Sequence, residues 1–202
     1  SSGTDVWYQS RVSRINLSLM KEKSRYRAKM KKSGAVVCWN DKPNKESYWK
    51  IYQDYIKAKG YSEMYGNAET LFKPVYGKRK YLQYDVDGKT VAFSIIELLG
   101  KSAIALQFCW DYNEPSRRLG YVNKYYQFRH LRELNCDYMY LGTSYEVSSL
   151  KKCEYAGFEW WTGREWSKNA DLYKELVLGE SKMETLDELH KQQRIFYSKI
   201  DI

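Results

Sequence analysis

The dipeptide Asp87-Gly88 constrains this chain more than any other feature. It stands between two runs of strand-forming residues, 80–85 and 90–99. Asp-Gly in that setting supplies the backbone that closes a two-residue hairpin. A second tight turn, Gly100-Lys101, leads into a third run, 102–110 (SAIALQFCW). The three runs therefore read as an antiparallel meander. After a polar turn, 111–120, the period changes. Tyr121, Tyr125, Phe128, Leu131 and Leu134 recur at helical spacing. The pattern then predicts a strand over 136–141, a short helix over 147–156 and a strand over 157–161. Upstream, 35–39 (AVVCW) reads as a buried strand. Asn44 caps a helix that runs to Lys59 and stops at Gly60. Residues 61–77 read as a loose segment. Two more helices are expected over 170–178 and 183–198, the second opened by a Ser181-x-x-Glu184 capping box. This mixed order implies an α+β fold, a sheet with helices on its faces. The strands 102–110 and 136–141, joined by the helix 119–134, should lie parallel.

The chain has 202 residues, enough for one domain with appended segments. No apolar run approaches the roughly 20 residues of a membrane helix, and the mean hydropathy is −0.73. No membrane partner is expected. Ser1-Ser2-Gly3 carries no initiator Met and no signal-peptide core, which reads as a trimmed start. Cys38, Cys109, Cys136 and Cys153 are widely spaced and accompany only two histidines. That pattern argues against a metal centre and a disulfide framework, and for reduced thiols in a cytoplasmic setting.

Charge is unevenly placed. The formal net charge is +9, and residues 1–34 hold nine basic residues against two acids. The reading is a basic N-terminal arm at 1–34, a body at 35–167 and a helical extension at 168–202. Such an arm suits a polyanion. Arg11, Arg14, Lys21, Lys23, Arg25, Arg27 and Lys29 are its candidate nucleic-acid contacts, and a solvated surface arm is the plain alternative. Trp160, Trp161 and Trp166, with Arg164 and Lys168, form a second basic–aromatic patch. Packing of aromatics in place of leucine explains that patch more simply. At 116–122 the chain leaves an apolar strand and enters a helix. Its free N–H groups, with Arg117 and Arg118 beside them and Gly120 for close approach, suit an anion.

The region from about Ala35 to Trp161 resembles the Gcn5-related N-acetyltransferase fold. That family's donor loop, Arg/Gln-x-x-Gly-x-Gly/Ala, is matched by Arg117-Arg118-Leu119-Gly120-Tyr121-Val122, with Val122 in place of the small residue. Its late Tyr-x-x-x-Gly-Phe is matched by Cys153-Glu154-Tyr155-Ala156-Gly157-Phe158. Within the superfamily the chain is most similar to the arginyl- and leucyl-tRNA–protein transferases. The residues that carry this are Ile51-Tyr52-Gln53-Asp54-Tyr55-Ile56 and the turn from Asp111 to Gly120. Tyr140-Leu141-Gly142 and the stretch Lys152 to Gly157 complete it. The family's cysteine-rich N-terminal region has no counterpart here.

The resemblance implies a sheet splayed near Trp110 and Asp111, with the donor in the gap. It also implies acyl or aminoacyl transfer to a protein or small-molecule amine, with aminoacyl-tRNA or acetyl-coenzyme A as a donor that is not tightly held. The donor would be gripped by Arg117, Arg118, Leu119, Gly120, Tyr121 and Val122. The attacking amine must lose a proton, for which Asp111 is the first candidate base and Glu97 the second. Tyr145 and Tyr155 are candidate proton donors to the leaving group. Cys153 has no histidine near it in sequence and reads as an apolar thiol. An acetyl-coenzyme A transferase and a non-catalytic module of the same fold are the competing readings.

Overall fold

The computed structural model describes residues 11–62, 65–113, 115–144, 146–185 and 187–192. Its strands and helices begin with β1 (Val12–Asn16), α1 (Ser24–Ser33), β2 (Val36–Trp39), α2 (Lys45–Lys59) and α3 (Ala68–Phe72). They continue with β3 (Lys78–Val86), β4 (Lys89–Leu99), β5 (Ser102–Trp110), α4 (Leu119–Glu133) and β6 (Tyr138–Thr143). They end with β7 (Phe158–Trp161), β8 (Trp166–Ser167) and α5 (Ala170–Glu180). The fold is α+β and mostly antiparallel. Contacts divide the chain into a larger unit, 16–140, and a smaller one formed by 1–15 and 141–202.

In the larger unit the strand order is β2-β3-β4-β5-β6. Asp87 and Gly88 both take positive φ, 51° and 76°, as a two-residue I′ turn requires. They close the β3–β4 hairpin, and β4 pairs antiparallel with β5. β5 then pairs in parallel with β6, from Ser102↔Tyr138 to Ile104↔Tyr140, as the strand–helix–strand pattern predicts. Residues 105–110 carry β5 on past that register.

Helix α4 is anchored on its inner face. Leu119, Val122, Tyr125, Phe128 and Leu131 are buried, each worth about 1.5–3 kcal/mol of transfer. Gln127 adds a buried polar tie: its Nε2 donates to Ser94 Oγ at 2.8 Å, which also meets Tyr84 Oη at 3.2 Å. A second cluster packs α2 and α3 on the sheet through Tyr48, Tyr52, Phe72 and Phe93. Tyrosine thus does much of the core packing.

Several expectations change. β2 is an edge strand, with Val36 70% exposed, rather than a buried one. The segment 61–77 contains α3, which Asn67 caps while Leu71 and Phe72 fill the core. The 147–156 helix is a 3-10 helix, Val147–Glu154. The helix expected over 183–198 lies partly outside the described residues.

Within the basic segment 1–34, the described residues 11–34 hold a strand and a helix that pair and pack with other elements. In the smaller unit β1 pairs antiparallel with β7, and β7 with β8. In the larger unit α1 packs on α4: Tyr26 stacks on Tyr125 at 4.1 Å, and Tyr126 Oη donates to Met30 O at 3.1 Å. The charge pattern set a boundary at residue 34 because charge is blind to strand pairing and ring packing.

Candidate functional site

The chain leaves β5 at Trp110, and Asp111 N–H donates to Val91 O at 2.7 Å. The Asp111 carboxylate then accepts from Asn113 N at 3.0 Å and Asn113 Nδ2 at 2.8 Å, an Asx turn, with Lys89 Nζ 3.8 Å away. A 3-10 turn, Pro115–Arg117, follows. Arg118 takes the left-handed conformation, φ 51° and ψ 34°, where it precedes α4. A non-glycine residue there is strained by about 1 kcal/mol or more, and such strain gathers at functional sites.

The start of α4 differs from those of three other helices. Asn44, Asn67 and Asn169 cap α2, α3 and α5 by accepting from a first-turn N–H at 2.9–3.1 Å. Glu46, Glu69 and Asp171 stand in those first turns. At α4 no side chain caps the helix and no acid stands in its first turn. Cations gather there instead. A pocket of about 160 Å³ is lined by Lys29, Lys32, Ser116, Arg117 and Arg118. It therefore joins two groups that the sequence presented separately, the basic N-terminal segment and the helix-entry loop. Arg117 Nη1 donates to Ser33 O at 3.3 Å, which ties the loop to the end of α1. Lys29 Nζ lies 3.9 Å from the Tyr121 ring centre, and Tyr121 stacks on Tyr26 at 5.2 Å. Four cationic side chains, a hydroxyl and a helix N-terminus suit a phosphate.

Other loop residues hold different positions. The side chains of Leu119 and Val122 are buried in the core, so only their backbone can face an anion. Gly120 has a specific neighbour: a Cβ there would lie 3.2 Å from Trp110 Nε1. Its smallness makes room for the indole, where the sequence suggested room for a ligand. Lys32 and Ser116 were missed as site residues. Lys32 follows Lys29 by three positions, which places both on one side of a helix. That spacing was the available signal.

Glu97 is fully buried rather than facing solvent. Its carboxylate accepts from Val75 N at 2.8 Å, Tyr76 N at 2.5 Å and Gly77 N at 3.0 Å. Arg79 Nη2 donates to it at 2.6 Å. Burial alone would raise its pKa, but these donors hold it below the usual carboxylate value. The geometry makes it the clamp of the 75–79 segment.

In the smaller unit, Tyr155 ends the 3-10 helix, its N–H donating to Lys152 O at 3.4 Å. Tyr145 lies outside the described residues. Cys153 Sγ donates to Leu150 O at 3.0 Å, and burial pushes this thiol up, away from reactivity. Lys152 Nζ donates to Thr143 O and Ser144 Oγ, and burial lowers its pKa to about 8.

The candidate nucleic-acid contacts separate into two groups. Arg11 is buried in a two-pronged ion pair with Glu180. Arg14 pairs with Glu159 at 2.8 Å, and its guanidinium lies 3.8 Å from the Trp166 ring centre. These two arginines, with the buried Trp160, build the smaller unit. Lys21, Lys23, Arg25 and Arg27 are exposed at and just before the start of α1, in the larger unit.

No helix among the described residues is long and apolar enough to cross a membrane. The fold is similar to solved structures at low sequence identity. The C-terminal domain of a putative lysylphosphatidylglycerol synthetase from Agrobacterium fabrum matches with a TM-score of 0.53 at 12% identity, over 67% of this chain and 46% of that one. L-PGS from Bacillus licheniformis matches with a TM-score of 0.54 at 12% identity, over 66% and 45%. FemX matches with a TM-score of 0.52 at 8% identity, over 67% and 54%. The chain thus spans about half the length of these structures. Among curated proteins, none matches the sequence. The family model described as "Arginine-tRNA-protein transferase, C terminus" matches residues 38–158, more than half of the chain. By that match, which takes in the Asp111 turn and the whole of α4, the chain belongs to the arginine-tRNA-protein transferase C-terminal family.

Proposed function

We propose that this chain transfers an aminoacyl group from tRNA to an amine in a cytoplasmic setting. The observation that carries the reading is the cationic pocket at the uncapped start of α4. Lys29, Lys32, Arg117 and Arg118 neutralise phosphates of the RNA, and the Ser116 hydroxyl and the first amides of α4 complete the cradle. The donor comes and goes as a substrate.

In the reaction the amine nitrogen of a protein or small-molecule acceptor attacks the ester carbonyl. The C–N bond forms and the C–O bond to the ribose breaks. Asp111 receives the proton that the amine must shed, directly or through water. Its Asx turn holds the carboxylate still at the end of β5. The ribose oxygen takes a proton from water as it leaves. Glu97 has no part in proton transfer, because five N–H groups of Val75, Tyr76, Gly77 and Arg79 already hold its oxygens.

The test is binding of an aminoacylated RNA minihelix and of acetyl-coenzyme A to the same chain. Replacing both Arg117→Ala and Arg118→Ala should weaken RNA binding and lower the salt slope of log K by about 2. Asp111→Asn should abolish transfer and leave RNA binding unchanged. Tight coenzyme A binding without RNA binding would overturn the aminoacyl reading in favour of an acetyltransferase.

A further inference from the structure

A second cationic hollow lies on the same helix pair. Met20, Lys21, Glu22, Arg27, Arg129, Arg132 and Glu133 line a cavity of about 670 Å³ in the larger unit. Four of these side chains are cationic and two are acidic. Glu22 is committed: it accepts from Arg129 Nη2 at 3.0 Å and Arg129 Nε at 3.3 Å. Lys21, Arg27, Arg129 and Arg132 are all exposed. The first pocket sits at the start of α4 and this one at its end. At 1.5 Å per residue, the step from Arg118 to the 129–133 turn is about 15–20 Å. Helix α1 contributes to both, with Lys29 and Lys32 in one and Arg27 in the other. Between them the α1–α4 contact is made of tyrosine rings and backbone, and Lys29 faces Tyr121.

We infer that the α1–α4 pair is a track for an RNA backbone, with the second hollow gripping phosphates distal to the reacting end. This rests on the aminoacyl-tRNA reading above and adds where the body of the RNA runs. A duplex strand carries about one phosphate per 3.4 Å of axis. The two hollows therefore engage phosphates several nucleotides apart, which a short donor cannot bridge. The broad, open character of the hollow and its guanidinium content suit a sugar–phosphate chain, since Arg binds phosphate in a two-pronged fashion. Helix α1 lies outside the 38–158 family match. The α1 side of the track thus lies outside the matched segment, and the α4 side within it.

The experiment compares two probes, a full-length tRNA and its 5′-phosphorylated terminal trinucleotide. It uses the unaltered chain, an Arg27→Ala/Arg132→Ala variant and the Arg117→Ala/Arg118→Ala variant. The track predicts that Arg27→Ala/Arg132→Ala weakens tRNA binding about tenfold or more and lowers its salt slope by about 2, with trinucleotide binding unchanged. Arg117→Ala/Arg118→Ala should weaken both probes. A Lys21→Gln/Arg132→Gln variant gives the same reading with one α1 residue untouched. If the unaltered chain binds both probes and neither distal variant changes the tRNA slope, the track is wrong and the first pocket stands. If distal variants spare tRNA but weaken binding of a polyglutamate peptide, the hollow serves an acidic protein segment and the track is overturned. If the unaltered chain binds neither RNA probe, the donor reading and the track fall together.

Discussion

Two sets of cations, one in each unit, are placed in contrasting ways. In the smaller unit Arg11 is buried and Arg14 half-buried, each against a carboxylate, with Glu180 1% and Glu159 7% exposed at the side chain. In the larger unit Lys29, Lys32, Arg117 and Arg118 surround a pocket with no acid among the described residues of its lining. All six residues contribute equally to net charge. The first pair stabilises a fold, because a buried cation must have an anion. The second group lines an open pocket, where its field favours an incoming anion. Net charge therefore says little about function until the carboxylates are placed.

The sharpest way to break this comparison is Glu180→Ala. It leaves Arg11 buried without its anion and should cost about 3–5 kcal/mol. Urea unfolding of the chain would show it as a large drop in midpoint, and an unchanged midpoint would mean that the pair is dispensable.

Glu97→Gln tests the same rule inside the larger unit, since Arg79 and three amides lose a charged partner. A loss of about 2 kcal/mol is expected. The sign with pH follows from the lowered pKa. Stability from the ionised carboxylate is present above the ordinary Glu pKa of about 4.3 and is lost as pH falls through the folded value. The variant should therefore have a flatter acid limb in its stability profile than the unaltered chain.

Lys152 is an intermediate case, a half-buried cation held by a carbonyl and a hydroxyl. Its folded pKa of about 8 lies below the ordinary value, so the unfolded chain binds the proton more tightly. This contribution should make stability rise with pH between about 8 and 10.4. Lys152→Met should remove that rise, so the variant's stability profile is flatter than that of the unaltered chain across this window. Urea midpoints at three pH values would detect it, and parallel profiles would refute it.

The smallest expected effect completes the contrast. Arg117→Ala with Arg118→Ala should move stability by no more than about 0.5 kcal/mol, although RNA binding falls. A collapse of the fold would show that these arginines are structural, like Arg11, and would dissolve the distinction between the units.

Much of the fold was legible because its signals are local. The Asp87-Gly88 turn, the Asn44 and Gly60 ends of α2 and the apolar stripe of α4 each lie within a few residues of the structure they specify. The parallel β5–β6 pairing followed from the length of the strand–helix–strand unit. The entry loop to α4 reads in the sequence as a candidate anion site, and in the fold Arg117 and Arg118 line a pocket there.

What the sequence determined by itself was the meander, the helix that follows it and the loop between them, all set by turn chemistry and side-chain period. Tertiary structure alone decided the rest, because it depends on partners distant along the chain. β1 is a strand through pairing with partners distant along the chain, β7 among them, about which VSRIN says nothing. Gly120 is small for the indole of Trp110, and Glu97 is buried because the 75–79 backbone turns its amides onto it. The pocket exists because α1 brings Lys29 and Lys32 beside Arg117 and Arg118, with Ser33 and Arg117 in contact across 84 positions. Charge in a sequence fixes how many cations there are; only the fold decides which of them are buried in ion pairs and which line a pocket.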